Sequence, residues 1–503
     1  MPRPRKVKQR KIKKILKLLD KYLIYFLILL FGFLYSFVAV TKYNHYQTGL
    51  DLAIYVQTMW FYTHFKLPFV TLYPTYGDLV WADHFSPSFV LLTPFYFLWR
   101  DPRTLLILQS FIFVSGAYPI YRYAKEKLKH PVLPYAFVLS FLTFLGVQFP
   151  LTFDFHLATM AASCMGWILW FMFTKKWKSF VILSIIASGF KEDMALYIVA
   201  ISFYLIISRR NWKLGIPMLI GSLGYVILVT KFLMPSFAHV AAKTFSVSNY
   251  SLSPLSLWAV FFDSPVKIHT LFLTFGYMFF LPLLSGFFVI VPIAHFFINF
   301  SNPAFPGRWG IYLHYRGYFS SILMFSSIRS YMFLIRKNPK IFKTNFAKYI
   351  FSALILFNVL SFDYALHLPL NELLKPQFYY TESWIKDNDE VLKHVPPYGN
   401  LLTMNHMASK ASYRQNISYM PLNIKKADYI FADTRPIQPP INYWLSAGSA
   451  EDFSKLIESL GKSDEFKIFY QSHDAVLLKR IKNFYHEATQ SAHTTSPVSG
   501  QSE

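Results

Sequence analysis

The stretch YLIYFLILLFGFLYSFVAV, residues 22–40, decides the fold class of this chain of 503 residues. It is almost wholly apolar, and a helix that crosses the hydrocarbon core of a bilayer needs about 20 such residues. Ten Lys or Arg residues lie between Arg3 and Lys21, directly before it, as is typical of a segment held in the cytoplasm. No small-residue cleavage site follows the run, so we interpret it as a first span rather than a signal peptide.

The composition of the whole chain indicates a polytopic membrane protein. Hydrophobic residues make up 54% of the sequence and aromatic residues 19%. Charged residues make up only 15%, compared with about 25% in soluble domains. A soluble fold would have to bury more apolar surface than one core can hold. The single cysteine, Cys164, lies in an apolar run, so we interpret it as a packing residue and exclude a disulfide framework.

Further apolar runs predict about eleven spans in total. The other candidates are 103–123, 131–149, 157–174, 178–190, 194–208, 213–234, 267–281, 284–300, 316–335 and 346–362. The apolar run Ser88–Trp99 is too short to span, and we expect it to lie at the membrane interface.

The distribution of basic residues predicts the orientation of these spans. With the N-terminus inside, four loops rich in Lys and Arg fall on the cytoplasmic side, namely 124–130, 175–178, 209–213 and 336–348. This prediction places the C-terminus outside. It also accounts for much of the net charge of +24, and because no groove-reading motif accompanies that charge we exclude nucleic acid as a partner.

The predicted organisation has four parts: a basic cytoplasmic segment 1–21, a transmembrane domain 22–363, an extracytoplasmic α/β domain 364–486 and a disordered tail 487–503. The transmembrane domain includes a first external loop, 41–102. In the outer domain, short β-rich runs alternate with amphipathic stretches. The runs are NLLTM (400–404), ADYIFAD (427–433), FKIFYQS (466–472) and AVLLKR (475–480), and the amphipathic stretches are 379–394 and 449–462.

Polar residues gather at the outer ends of the predicted spans. Any one of them could cap a helix or face water. Ionisable groups at membrane depth are costly, however, and tend to mark sites, so five groups on one rim predict a single cleft. The residues are Asp51; Asp83 and His84; Asp154 and His156; Lys191, Glu192 and Asp193; and His314, Tyr315 and Arg316.

A metal ion is an open alternative at this rim. Carboxylates and imidazoles suit several divalent cations, and Asp83, Asp154 and His156 are the candidate ligands. Their spacing is not that of a zinc motif. The sequence therefore indicates no certain cofactor and leaves a divalent cation open.

Four motifs carry a resemblance to a known family. The segments LDLAIYVQTMW (50–60), ADHFSPSFVLLTPFYFLWRDPRTLLILQS (82–110), FDFHLATMA (153–161) and FKEDMALYIVAISFYL (190–205) resemble an uncharacterised family of predicted multi-pass membrane proteins, domain of unknown function 2079. The resemblance extends to KADYIFADTRP (426–436). More distantly, the chain is similar to the GT-C glycosyltransferases, which use sugars linked to polyprenyl phosphate. It departs from their better-known branches by having DHFSP where a His-Pro-Pro stretch is frequent.

The resemblance implies roles for individual residues. Asp51 matches the acid of the first outer loop, the general base that takes a proton from the acceptor hydroxyl. Lys191 matches a lysine that neutralises the phosphate of the donor lipid. The planar fork of Arg316 suits phosphate oxygens as a second clamp. The remaining rim residues are expected to bind donor or acceptor hydroxyls, or a metal, and are Asp83, His84, Asp154, His156, Glu192, Asp193, His314 and Tyr315.

Two other function classes compete with the glycosyltransferase. A transporter or flippase for a lipid-linked or polar substrate would use the same acids as ion relays, and it would be expected to show ionisable groups near the midplane and inverted repeats. A non-catalytic scaffold would use only its outer domain. The ionisable residues lie at the predicted outer rim rather than near the midplane, and this favours the enzyme over the transporter. Its expected partners are membrane lipids, the polyprenyl-phosphate-linked sugar and an acceptor whose chemistry the sequence leaves open.

Overall fold

A computed structural model describes residues 4–72, 78–238, 254–303, 305–437 and 450–481. The predicted disordered tail, 487–503, lies outside the described residues. The chain divides into two compact units. The first contains the described residues of 1–44, 61–69 and 78–379, and the second contains those of 45–60, 70–77 and 380–503.

Helices make up most of the chain up to residue 379. In chain order they and two short strands are α1 (Pro4–Asn44), α2 (Leu50–Thr63), β1 (Phe69–Val70), β2 (Asp78–Leu79), α3 (Thr93–Leu98), α4 (Arg103–Val114), α5 (Ala117–Leu128), α6 (Leu133–Thr143), α7 (Leu145–Phe153), α8 (Leu157–Ser163), α9 (Met165–Phe173), α10 (Trp177–Ser188), α11 (Met194–Ile207), α12 (Trp212–Leu228), α13 (Met234–Ser236), α14 (Pro254–Phe262), α15 (Pro265–Gly276), α16 (Ile290–Phe300), α17 (Gly317–Lys337), α18 (Pro339–Phe342) and α19 (Asn345–Leu366).

Six helical segments among the described residues are long and apolar enough to cross a bilayer. They are Tyr22–Asn44, Arg103–Leu128, Leu133–Phe153, Trp212–Ser236, His314–Lys337 and Asn345–Leu366. Shorter apolar helices occupy the remaining predicted spans, namely Leu157–Phe173, Trp177–Ser188, Met194–Ile207, Gly286–Phe300 and α15. The predicted count of about eleven therefore agrees with the structure, although α15 is only about 18 Å long at 1.5 Å per residue.

The predicted interfacial run forms a 3₁₀ helix, Pro87–Leu92, that continues into α3. Its apolar side chains Val90, Leu91, Phe95 and Leu98 are exposed. Exposed apolar side chains on a short helix fit a segment lying in a membrane interface. That location stays a prediction, because no membrane accompanies the structure.

A buried glutamine joins three parts of the first unit. Gln148, on α7, donates to the Thr143 carbonyl at 2.7 Å and to Asp363 Oδ1 at 3.1 Å. Its own Oε1 accepts from the Leu370 amide at 2.9 Å. Hydrogen bonds that satisfy a buried amide hold its partners in one arrangement. Gln148 therefore fixes α7 against α19 and the 3₁₀ helix Pro369–Leu374.

The C-terminal part of the second unit is a small α/β domain. Its five strands have the order β4-β3-β5-β7-β6, with β3 parallel to β4 and β5, and with β7 antiparallel to β5 and β6. The elements are α20 (Ser383–Lys393), β3 (Leu401–Thr403), α21 (Asn405–Ala411), β4 (Ile417–Tyr419), β5 (Tyr429–Asp433), α22 (Ala450–Gly461), β6 (Phe466–Ser472) and β7 (Ala475–Arg480).

An acid at the end of β5 is held by two basic groups. Asp433 contacts Arg435 Nη2 at 2.6 Å and His406 Nε2 at 3.4 Å, and it is buried. Burial raises the pKa of Asp433, but the hydrogen bonds and charges of His406 and Arg435 lower it by more, to about 2. The motif KADYIFADTRP therefore contains a buried, ionised carboxylate that fixes the end of the central strand.

Residues 45–60 also belong to the second unit. The Tyr46 hydroxyl donates to Asp389 Oδ1 at 2.7 Å, and the Lys410 ammonium lies 3.7 Å from the Tyr46 ring centroid. Gln57 donates to the Gln415 carbonyl at 2.7 Å. The segment that follows the first predicted span thus packs with the C-terminal α/β domain.

Candidate functional site

A polar network at His84 joins two of the predicted motifs. His84 Nδ1 lies 3.0 Å from Glu192 Oε1, and its Nε2 lies 3.7 Å from Asp83 Oδ2. The Lys191 ammonium is 3.4 Å from the same Nε2. The Glu192 side chain is 6% exposed and that of His84 is 30% exposed, so the imidazole is the open end of the network.

Both members of the His84–Glu192 contact are shifted towards their charged forms. Burial and the Lys191 charge lower the pKa of His84, but Asp83 and Glu192 raise it by more, so the net pKa lies above the ordinary value. Burial raises the pKa of Glu192, whereas the His84 charge and hydrogen bond lower it by more. The two shifts agree, and both favour an ion pair over a neutral hydrogen bond.

A second network surrounds Asp193. The Tyr318 hydroxyl donates to Asp193 Oδ1 at 2.7 Å, and Arg308 Nη2 lies 3.3 Å from Oδ2. The Arg308 guanidinium also lies 5.1 Å from the ring centroid of Tyr315. Through Arg308, Asp193 therefore connects the motif FKEDMALYIVAISFYL to the polar group of His314, Tyr315 and Arg316.

Arg316 is fully buried beside this network. Its Nη2 donates to the Arg308 carbonyl at 2.6 Å, and its guanidinium lies 5.5 Å from the Phe296 ring centroid. In the described part of the chain, Arg316 forms no ion pair, and its Nε and Nη1 have no hydrogen-bond partner. A buried cation without an anion is costly. An anionic ligand at this position would compensate the charge of Arg316.

Two histidines of the predicted polar groups are in contact. The rings of His156 and His314 have centroids 3.9 Å apart. Gln109 holds the backbone of the motif FDFHLATMA, because its Nε2 donates to the Asp154 carbonyl at 2.9 Å and its Oε1 accepts from the His156 amide at 2.9 Å. The Asp154 carboxylate accepts from the Phe155 amide at 2.8 Å.

These contacts connect four of the five predicted polar groups. His84 reaches Lys191 and Glu192, Asp193 reaches Tyr315 through Arg308, and His314 reaches His156. Asp51, the fifth, lies in the first turn of α2 and belongs to the second unit. Its convergence with the other four groups stays a prediction.

The described residues contain no group of three or more His, Cys, Asp or Glu side chains arranged to hold a metal ion. Asp83, Asp154 and His156 thus form no such group, which leaves the divalent cation without structural support. The site is instead rich in cations and hydrogen-bond donors.

Two largely buried basic residues, Arg308 and Lys267, were not predicted from the sequence. Arg308, within FPGRWG, joins Asp193 to Tyr315 and Arg316. Lys267 is fully buried, pairs with Asp263 at 2.8 Å and lies 4.2 Å from a ring centroid of Trp309. Arg308 lies between the predicted spans 284–300 and 316–335, and Lys267 begins the predicted span 267–281. A basic residue outside the four predicted cytoplasmic loops was the available signal.

The sequence matches the family described as "Predicted membrane protein (DUF2079)" over residues 42–451. The chain belongs to this family. The resemblance drawn from its motifs is confirmed, and the DUF2079 match covers both the polar groups of the first unit and most of the second. No curated protein is significantly similar to this member of the family.

Solved structures with a similar fold include ArnT from Cupriavidus metallidurans. The form bound to undecaprenyl phosphate aligns with a TM-score of 0.55 and 11% identity over 91% of this chain and 97% of that one. The apo form aligns with a TM-score of 0.52 and 10% identity over the same shares. At this identity the likeness shows the fold alone. This DUF2079 protein is therefore a multi-pass membrane protein with a GT-C-like helical fold and a small C-terminal α/β domain.

Proposed function

We propose that this protein is an integral-membrane glycosyltransferase that takes a sugar from a polyprenyl-phosphate carrier at the outer face of the membrane. The observation that carries the proposal is the pair of buried cations Lys191 and Arg316. Among the described residues, neither forms an ion pair with a carboxylate, and their exposed fractions are 7% and 0%. Phosphate oxygens are the anions that such groups bind with charge-assisted hydrogen bonds.

The contacts of Lys191 favour an anion as its missing partner. Its ammonium lies 3.4 Å from Nε2 of an imidazole whose pKa is raised, and the protonated imidazole would repel it. Coulomb repulsion at that distance is offset by Asp83, which approaches the same Nε2, and by Glu192, which lies at Nδ1 on the other side of the ring. A phosphate bound here would place a negative charge beside Lys191 and His84. These two groups would then stabilise the charge that develops on the carrier phosphate as it departs.

In the proposed reaction, the acceptor hydroxyl attacks the anomeric carbon of the donor sugar and gives its proton to Asp51. The bond from that carbon to the phosphate oxygen breaks, and the bonding electrons leave with the polyprenyl phosphate. Lys191 and Arg316 bind the leaving phosphate. His84, Asp83, Asp154 and His156 supply hydrogen bonds to sugar or acceptor hydroxyls, together with Glu192, Asp193, His314 and Tyr315. The ArnT structure with undecaprenyl phosphate supports a lipid phosphate as the carrier class.

Replacement of Lys191 tests the donor site directly. Lys191→Met removes the ammonium but keeps an unbranched side chain, and we expect it to weaken polyprenyl-phosphate binding by about 10- to 100-fold, the worth of a hydrogen bond to a charged group. Binding to the purified full chain in detergent is followed by the ligand-dependent rise in melting temperature.

Lys178→Met provides the matched control. Lys178 is exposed and lies in a predicted cytoplasmic loop, so its removal changes the net charge equally without touching the site. Unchanged binding in this variant and weakened binding in Lys191→Met support the proposal. Equal binding in wild type and Lys191→Met would remove Lys191 from the donor site.

A further inference from the structure

Two arginines share one aromatic ring away from the candidate site. The guanidinium of Arg210, in the loop after α11, lies 5.2 Å from the Phe173 ring centroid. The guanidinium of Arg329, inside α17, lies 4.9 Å from the same centroid and 5.6 Å from those of Tyr204 and Phe288. Helices distant in the sequence therefore bring two positive charges to one place.

No acid neutralises these charges within the described residues. Neither arginine forms an ion pair there, and the Nε of each is buried without a hydrogen-bond partner. Arg210 donates from Nη2 to the Phe173 carbonyl at 2.6 Å, which is a neutral acceptor. Aromatic faces attract cations, but only by about 0.5–2 kcal/mol each. Two neighbouring guanidinium groups without an anion indicate a site for one.

An apolar groove adjoins the arginines. It has a volume of about 520 Å³ and is lined by Ile207, Gly286, Phe287, Val289, Ile290 and Ile293. Ile207 ends α11 just before Arg210, and Phe288, which Arg329 contacts, lies between two of the lining residues. Phe287 is 63% exposed, so the groove is open at the surface of the helices rather than enclosed between them.

The basic loops indicate which leaflet would face this groove. Arg210 belongs to loop 209–213, and Phe173 lies two residues before loop 175–178; both loops are predicted to be cytoplasmic. Arg329 lies roughly two turns before the end of α17, whose last turn carries Arg336 and Lys337. All three positions therefore fall at the predicted inner membrane surface.

We propose that Arg210, Arg329 and the adjoining groove form a binding site for an anionic phospholipid of the inner leaflet. The two guanidinium groups hold the headgroup phosphate, for which their planar forks are suited, and the groove holds an acyl chain. Basic pockets between helices on the cytoplasmic side are recognised lipid sites in membrane proteins. This site is separate from Lys191 and Arg316, and it holds whether or not the protein transfers sugars.

Lipid titration of the purified full chain in detergent tests the proposal. Phosphatidylglycerol should raise the melting temperature, and native mass spectrometry should show it retained, whereas phosphatidylcholine at the same concentration should do neither. Arg210→Gln and Arg329→Gln should each weaken phosphatidylglycerol binding about fivefold. Ile293→Gln, which places an amide in the groove, should weaken it as well. Arg209→Gln is the matched control, because Arg209 is an exposed neighbour of equal charge.

Four results would overturn the lipid site. Equal stabilisation by phosphatidylcholine would show a non-selective detergent effect, and equal stabilisation by inorganic phosphate would show an anion site without a lipid. Equal losses in Arg209→Gln and Arg210→Gln would indicate general charge attraction. Wild-type binding in Arg210→Gln would exclude a role for Arg210 in binding the headgroup. If Arg329→Gln fails to fold, the result for Arg210→Gln tests the lipid site, because Arg210 is only half-buried. Lys191→Met should leave phosphatidylglycerol binding unchanged.

Discussion

His84 and Glu192 combine an accessible imidazole with a buried carboxylate, and this contact determines how the candidate site responds to pH. The Glu192 side chain is 6% exposed, so its charge depends on the partner that His84 supplies. His84 in turn contacts Asp83 and Lys191. Loss of one charge in such a network leaves the others less well compensated. The pair is therefore a structural element of the site as well as a candidate binding group.

The pair predicts a specific dependence of stability on pH. The raised pKa of His84 stabilises the fold fully below its ordinary value of 6.5, and this contribution is lost as pH rises through the raised pKa. The lowered pKa of Glu192 stabilises the fold above its ordinary value of 4.5, and that contribution is lost as pH falls through the lowered pKa. The melting-temperature difference between wild type and Glu192→Gln should therefore be largest between pH 4.5 and 6.5 and decline above it.

Glu372→Gln is the control for this pH series. Glu372 pairs with Lys375 at 2.8 Å, but both side chains are substantially exposed, and such pairs contribute little to stability. Its melting temperature should follow that of wild type at every pH. A Glu192→Gln difference that is constant across the pH range would show that the two residues do not form an ion pair.

The sequence predicted which residues are polar at the rim, but not their partners. Ionisable side chains between apolar runs stand out in composition, so His84, Lys191 and Arg316 could be singled out. The contact of His84 with Glu192 joins positions 108 residues apart, and no local period encodes it. Arg308 was not predicted, because its burial depends on packing that the sequence does not show.

Gly146, near the start of α7, allows the 3₁₀ helix His314–Arg316 to pack closely against α7. A Cβ built on this residue would overlap the carbonyl oxygen of Arg316 and would lie 2.7 Å from a ring carbon of Phe144. Backbone atoms cannot move aside as a flexible side chain can. The position of Arg316 therefore depends on the absence of a side chain at Gly146.

Gly146→Ala should destabilise the protein by about 1–3 kcal/mol, the usual cost of overpacking. It should also weaken polyprenyl-phosphate binding, because Arg316 is displaced. Gly221→Ala is the control, since Gly221 is helical and has no atom within 4 Å of a built Cβ. It should be neutral or slightly stabilising. The two melting curves and donor titrations check this, and wild-type behaviour of Gly146→Ala would contradict the packing account.

Secondary structure could be predicted from the sequence where the local hydrophobic pattern extended over several residues. The predicted runs at 466–472 and 475–480 coincide with β6 and β7, and the two amphipathic stretches with α20 and α22. β4 was missed because ISY (417–419) contains no consecutive apolar residues, unlike the equally short β3 within NLLTM. Its pairing with β3, not its own sequence, makes it a strand.

For the whole molecule, composition and motifs predicted the class of fold but not the division into units. The family match and the fold likeness to ArnT agree with the class that composition and motifs predicted. Residues 45–60 belong to the same unit as the C-terminal domain, and this depends on contacts such as Gln57 to Gln415, which lie 358 positions apart. Composition contains no information on such pairings.

Orientation can be tested with single cysteines. The native Cys164 is buried, so a membrane-impermeant maleimide should not label the wild-type protein in intact cells. His473→Cys, at an 81% exposed side chain in the predicted outer domain, should be labelled in intact cells. Lys178→Cys, in a predicted cytoplasmic loop, should be labelled only after lysis. The reverse labelling pattern would invert the topology and remove the outer-face site.

The central claim is that sugar is transferred from a polyprenyl-phosphate donor with Asp51 as general base, and transfer by the purified full chain tests it most directly. Across a panel of labelled polyprenyl-phosphate sugars, the wild type should release polyprenyl phosphate from at least one donor in the presence of a suitable acceptor extract. Asp51→Asn should bind that donor normally but lower turnover by about 10²–10⁴-fold. If Asp51 only complements the dipole at the start of α2, Asn should cost at most about 1 kcal/mol of stability and leave turnover nearly unchanged. Transfer by Asp51→Asn at close to the wild-type rate would contradict the catalytic role, and no transfer from any donor by the wild type would contradict the proposed function.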